Sequence, residues 1–211
     1  GKITGLPDMQ KAFFDLDIKN FESTAKDVNS FVPPKTIPNN IQLPSNFNVK
    51  GKFKGAINNF QTKLALQSSF GGAKVDALFD QRIKNKEKYD AKVAFNEFDL
   101  GKLIKNDSIG KITLNAKVKG TGLDPKTANA QLKAIVNKAT YNKYTYKDLS
   151  LDGKIANGLY DIKSNMDDPN LTFKLLANGG FKDKYPAVKL DLNLDIADLE
   201  KLNLHAGPLK I

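Results

Sequence analysis

The side chains of this 211-residue chain that could do chemistry are few and scattered. His205 is the only histidine and there is no cysteine, so a His-based triad, a Cys–His nucleophile or a His/Cys metal cluster lacks its parts. Beside Gly207-Pro208, His205 reads as a loop residue. Asp191-x-Asn193-x-Asp195 imitates the start of a calcium loop. Its sixth position, however, is Ile196 rather than glycine, and its twelfth is Leu202 rather than a bidentate glutamate. Asp167-Asp168 precedes Pro169, where aspartate serves the backbone of a turn. Asp15 and Asp17 alternate with apolar residues, as on a solvated strand face. Gly71-Gly72 and Gly179-Gly180 precede no helix that could cradle a phosphate. Tyr141, Tyr144 and Tyr146 could stack on a sugar or base, or pack with wet hydroxyls. The expectation is a non-enzymatic protein with no catalytic residues, no metal and no cofactor.

The elements that position these residues are strands. In Lys111-Ile112-Thr113-Leu114-Asn115-Ala116-Lys117-Val118-Lys119 every even position is apolar and every odd one polar. The same period returns in Lys189 to Ile196 and, with small residues, in Asn129 to Ala134. Successive strand side chains point to opposite faces, so the pattern predicts sheets with one apolar and one charged face. Strands are expected at 47–55, 58–69, 73–83, 88–98, 110–120, 127–139, 143–152, 154–163, 171–177 and 186–196. Turn residues at Gly71-Gly72, Gly120-Thr121-Gly122, Asn157-Gly158, Asp167-Asp168-Pro169 and Gly179-Gly180 separate them. Such short connections imply an antiparallel meander.

Residues 1–46 form a separate opening: a strand around 13–21, a short helix from Ser23 to Phe31, and a connector rich in prolines. Residues 47–211 are the β domain. Both termini fall inside a continuing pattern, so the whole reads as a segment of a longer protein. No apolar run approaches the roughly 20 residues of a membrane-spanning helix. The net charge is +10, but Arg82 is the only arginine among 33 basic residues, and no lysine block stands out. Nucleic-acid readout favours arginine, so no nucleic-acid partner is expected.

Two internal echoes mark a repeating architecture. Val93 to Leu103 aligns without gaps onto Leu192 to Leu202, sharing Asp-Leu-x-Lys-Leu, with a looser copy at Leu16 to Glu22. Each reads as a strand leaving the sheet into a short helical turn, with its acid near the helix start. Gly51-Lys52-Phe53-Lys54-Gly55 is echoed by Ala116-Lys117-Val118-Lys119-Gly120.

The apolar face needs a cover, since no long amphipathic helix is available. The fold expected is all-β: an antiparallel meander of about ten or more strands with short helices. It curls lengthwise into an elongated hydrophobic groove (β-taco-like), with Gly51 and Gly55 allowing sharp bends. The groove lining would be Val93, Phe95, Ile112, Leu114, Val118, Leu132, Val136, Leu149, Leu151, Phe173, Leu175, Leu190, Leu192 and Leu194. The alternative is a closed β-sandwich acting as a structural or carbohydrate-binding module, with its tyrosines on the sugar.

Phe95 to Leu103, then Ile112 to Gly122, then Tyr146 to Gly153 resembles the AsmA/TamB-like bacterial envelope proteins, over roughly residues 47–204. The lysine- and asparagine-rich usage is similar to the Bacteroidota branch. The resemblance implies a periplasmic bridge in the cell envelope, anchored in the inner membrane through parts outside this segment. Its groove would shield phospholipid or other acyl chains, or outer-membrane protein strands, on the way to the outer membrane. It also implies a BamA-like outer-membrane barrel as partner.

Overall fold

A computed structural model describes residues 1–8, 10–31, 37–181 and 188–205. Alternation of apolar and polar residues produces twelve strands: β1 (Lys2–Thr4), β2 (Phe13–Thr24), β3 (Asn46–Ala56), β4 (Asn59–Ser68), β5 (Gly71–Asp80), β6 (Lys88–Asp99), β7 (Ile109–Thr121), β8 (Asn129–Tyr141), β9 (Tyr144–Ala156), β10 (Leu159–Asp168), β11 (Leu171–Gly180) and β12 (Val188–Ala197). Helices α1 (Ala25–Phe31) and α2 (Leu100–Ile104) follow β2 and β6. All twelve strands lie in one antiparallel sheet in chain order, and the sheet curls without closing into a barrel. The opening strand β2 belongs to the same sheet, paired with β3. The expected Pro33-Pro34 part of the connector lies outside the described residues.

Several boundaries differ from the sequence expectation: Gly71-Gly72 and Gly179-Gly180, expected as turns, are the first residues of β5 and the last of β11, paired in the ladder. A break near Gly153 is not made; β9 runs on to Ala156, and Gly153 pairs with Leu132 and Ile162 as an ordinary ladder residue. The turn falls on Asn157 and Gly158, both at positive φ (50° and 80°), the combination a two-residue type I′ hairpin requires. Asn142 (46°) and Lys143 (67°) join β8 to β9 the same way.

The repeat is visible in the backbone. The pairing of β2 with β3 shifts between Ile18 and Phe21, and that of β6 with β7 between Phe95 and Phe98, at matching positions of the aligned copies. After β6, Asp99 caps α2: its carboxylate accepts from the Lys102 amide (3.0 Å) and pairs with Lys102 Nζ (3.2 Å). After β12, Asp198 repeats both contacts with Lys201, at 3.1 and 3.0 Å. The Asp99 and Asp198 amides donate to the β4–β5 and β10–β11 turns respectively, at Phe70 O and Asn170 O.

Gly51 sits in the middle of β3 at φ 135°, and a Cβ there would collide with the Lys63 carbonyl on β4. This backbone belongs to glycine alone. Gly51→Ala is expected to destabilise by about 1–3 kcal/mol in urea unfolding. Gly153→Ala, where the nearest atom would be 3.9 Å away, should shift stability by less than about 0.5 kcal/mol.

Candidate functional site: two faces of one sheet

The register puts the fourteen expected lining residues on a single face, in four rows across the strands. Phe95, Leu114, Val136, Leu149, Phe173 and Leu194 form one continuous row, with Met166 between Leu149 and Phe173. Val93, Leu151, Leu175 and Leu192 lie in the next row, together with Ala116, Ala134 and Ser164. Val118, Leu132 and Leu190 share a third. Ile112 stands in a fourth, opposite Phe98.

No second layer covers this face among the described residues. The buried apolar residues are Ala12, Phe70, Phe98, Ala128, Met166 and Leu202, most of them at turns and strand ends. Along β12, Val188, Leu190, Leu192, Leu194 and Ile196 are 46–59% exposed. The chain exposes 14475 Å², whereas a compact globule of 23.2 kDa would expose about 9,700 Å².

The sequence reading missed an aromatic ladder on this face. Phe14, Phe53, Phe60 and Phe79 run across β2 to β5 with ring centroids 5.1–6.1 Å apart. Tyr89 continues the row opposite Phe79. Each phenylalanine was legible as apolar, but their adjacency depends on a register that alternation leaves open.

A broad cavity lies on the opposite face. It is a groove of about 1120 Å³ running from β3 to β10 along the row of Gly51, Leu64, Val75, Val93, Ala116, Ala134 and Leu151. Its lining adds the residues immediately before and after each of these, which point to the polar face. With Lys163 and Asn165 of β10, those neighbours include eight lysines, two aspartates and no aromatic residue. Of the expected groove residues only Val93 and Leu151 touch this cavity, as members of its floor row.

The other candidates take structural positions. His205 is exposed, and its amide donates to Leu199 O at 3.2 Å. Asp191, Asn193 and Asp195 are exposed along β12, and no metal-holding group of His, Cys, Asp or Glu occurs among the described residues. Asp167 is exposed, but Asp168 is 1% exposed. Its carboxylate accepts from the Tyr144 hydroxyl, the Asn170 amide (2.9 Å) and the Lys147 amide (3.0 Å). The Tyr144 hydroxyl also accepts from Asn170 Nδ2 at 2.9 Å. Tyr146 meets the Tyr144 ring edge-on at 4.8 Å. Burial, and then donation to Asp168, raise the Tyr144 phenol above its usual pKa.

The tyrosine pair thus pins β9 to the β10–β11 turn. Tyr144→Phe leaves a buried carboxylate short of a donor and should cost about 1–3 kcal/mol in urea unfolding. A phenol raised in the folded state adds stability below its unfolded pKa near 10 and loses it as pH rises through the folded value. Stability of the parent is therefore expected to fall more steeply above pH ~10 than that of Tyr144→Phe, measured by unfolding at stepped pH.

The chain matches no protein-family model, no curated protein and no solved structure. No helix among the described residues is long and apolar enough to cross a membrane. Geometry and composition therefore carry the functional reading.

Proposed function

We propose that this chain is a non-enzymatic scaffold whose open apolar sheet face shields lipid acyl chains during transfer, as one segment of a longer periplasmic bridge. The observation behind the reading is a single-layer sheet with an apolar face spanning its strands and no cover among the described residues. Domains are ordinarily built from two or more packed layers, and an apolar face of this extent is costly in water. An acyl chain is long, narrow and featureless, so it matches continuous rows of Leu, Val and Phe that offer no polar group to satisfy. Each methylene removed from water gains about 0.8 kcal/mol, enough for reversible holding without any bond being made or broken.

The AsmA/TamB-like strand and exit pattern supports placing such a segment between the inner and outer membranes. In that setting an outer-membrane protein strand is a second kind of greasy client, and a BamA-like barrel the receiving partner. The described residues form one sheet and lack the second sheet that a sandwich module needs.

Leu132 and Leu192 are 37% and 48% exposed on the apolar face, so charges there cost little folding energy. Purified parent chain, presented with phosphatidylcholine micelles and examined by native mass spectrometry, should retain lipid. Leu132→Glu with Leu192→Glu should lose it while keeping the parent's far-ultraviolet circular dichroism. A folded parent that takes up no lipid would defeat the proposal.

A further inference from the structure

The lysine groove on the other face has no part in acyl-chain shielding, and part of its charge pattern, beside several lysine–aspartate oppositions, is unfavourable as it stands. One row of its wall reads Lys52, Lys63, Asp76, Lys92, Lys117, Lys133, Asp152 and Lys163, each residue directly opposite the next across the strands. Three of these oppositions set lysine against lysine: Lys52 with Lys63, Lys92 with Lys117, and Lys117 with Lys133. Like charges directly opposed on one sheet face destabilise it. Of the row's lysines only Lys133 has a carboxylate within salt-bridge distance among the described residues, at 3.0 Å from Asp152. Lys50 and Lys74 add charge from the facing wall.

We infer that this groove binds a linear chain of phosphate groups without bases. At the usual strand spacing the eight strands bordering it give a length of about 34 Å, a run of ammonium groups repeating at about 5 or 10 Å. A flexible phosphate chain can seat successive charges between neighbouring lysines and remove the repulsion that the fold otherwise bears. Lysine acts here as a point charge, which suits phosphates that need no fixed bidentate geometry. The absence of aromatic side chains from the lining removes the stacking platforms on which single-stranded nucleic acids rely. A recessed valley is also a poor match to a flat membrane surface.

The test is binding of medium-chain inorganic polyphosphate to the 211-residue chain, followed by calorimetry across a salt series. Polyphosphate is expected to bind and to raise the melting temperature, with affinity falling by a log–log slope of about 0.7 per phosphate contacted. The triple variant Lys92→Gln, Lys117→Gln, Lys133→Gln should lose about tenfold or more in affinity and flatten that slope. It should melt at or above the parent's temperature, because two of the three like-charge oppositions are gone and the lost Lys133–Asp152 pair is an exposed one of small worth. The control triple Lys26→Gln, Lys84→Gln, Lys86→Gln carries the same charge change away from the groove and should bind as the parent does.

Poly(glycerol phosphate) presents the same chemistry from a cell-wall source; its binding alongside or in place of polyphosphate identifies which source the groove accepts. Equal losses in both triple variants, or no binding of either phosphate chain, would overturn the inference. So would tighter binding of oligo-dT, or capture of phosphatidylglycerol vesicles in preference to the free chains. The lipid test above reads the opposite face, so either result can fail without the other.

Discussion

With no second layer to pack against, each strand must satisfy its backbone through the ladder it shares with its immediate neighbours, and everything else in the molecule follows from that ladder. Contacts run from strand to next strand throughout, apart from the two short helices against their adjoining strands. Cross-strand side-chain pairs, each worth about 0.2–1 kcal/mol, therefore replace the buried core as the main local source of cohesion. Buried apolar side chains lie mostly toward the margins: Phe98 at the end of β6, Met166 near the end of β10, Leu202 in the turn after β12. The Asp168–Tyr144 pin belongs to the same economy of edges, holding a hairpin turn against its neighbour where a globular protein would use packing.

What the sequence made legible was parity. Alternation assigns Leu114 and Lys117 to opposite faces with no knowledge of their partners, and so an antiparallel meander of about ten or more strands and the shared face of Phe95, Leu132 and Leu192 could be read directly. Register was not legible, because it is fixed by bulges and turn geometry and not by period. Hence the phenylalanine ladder and the lysine row, both products of register, emerged only from the pairing. The break expected between strands 143–152 and 154–163 is not made because glycine can also occupy a plain ladder position, as Gly153 does, while Asn157-Gly158, among the expected turns, has the chemistry for a tight hairpin. The three-residue β1 carries too few alternations to announce itself. The roles of Asp167 and Asp168, adjacent in sequence, diverge because one points to water and the other into the β9–β10 seam.

A one-layer sheet presents two chemically distinct open faces, which a closed barrel or sandwich cannot. Sealing the apolar side would leave only the charged side for work. Here a one-layer sheet keeps both available, and the glycine-only backbone at Gly51 and the bulges of β2 and β6 bend it without pairing its ends. The Asp–Lys capped exit recurs after β6 and β12 as one local device for leaving the sheet.

That nearest-neighbour pairing also governs how the chain reaches its structure. Every strand beyond the first finds its partner in the strand just before it, so loop closure is short at most steps, the link from Thr24 to Asn46 being the longest, and entropy is lost in small instalments. Such a topology can form by accretion, hairpin upon hairpin, in the order in which the polypeptide becomes available. A chain delivered through a narrow pore, amino end first, can then fold behind itself without waiting for its carboxyl end.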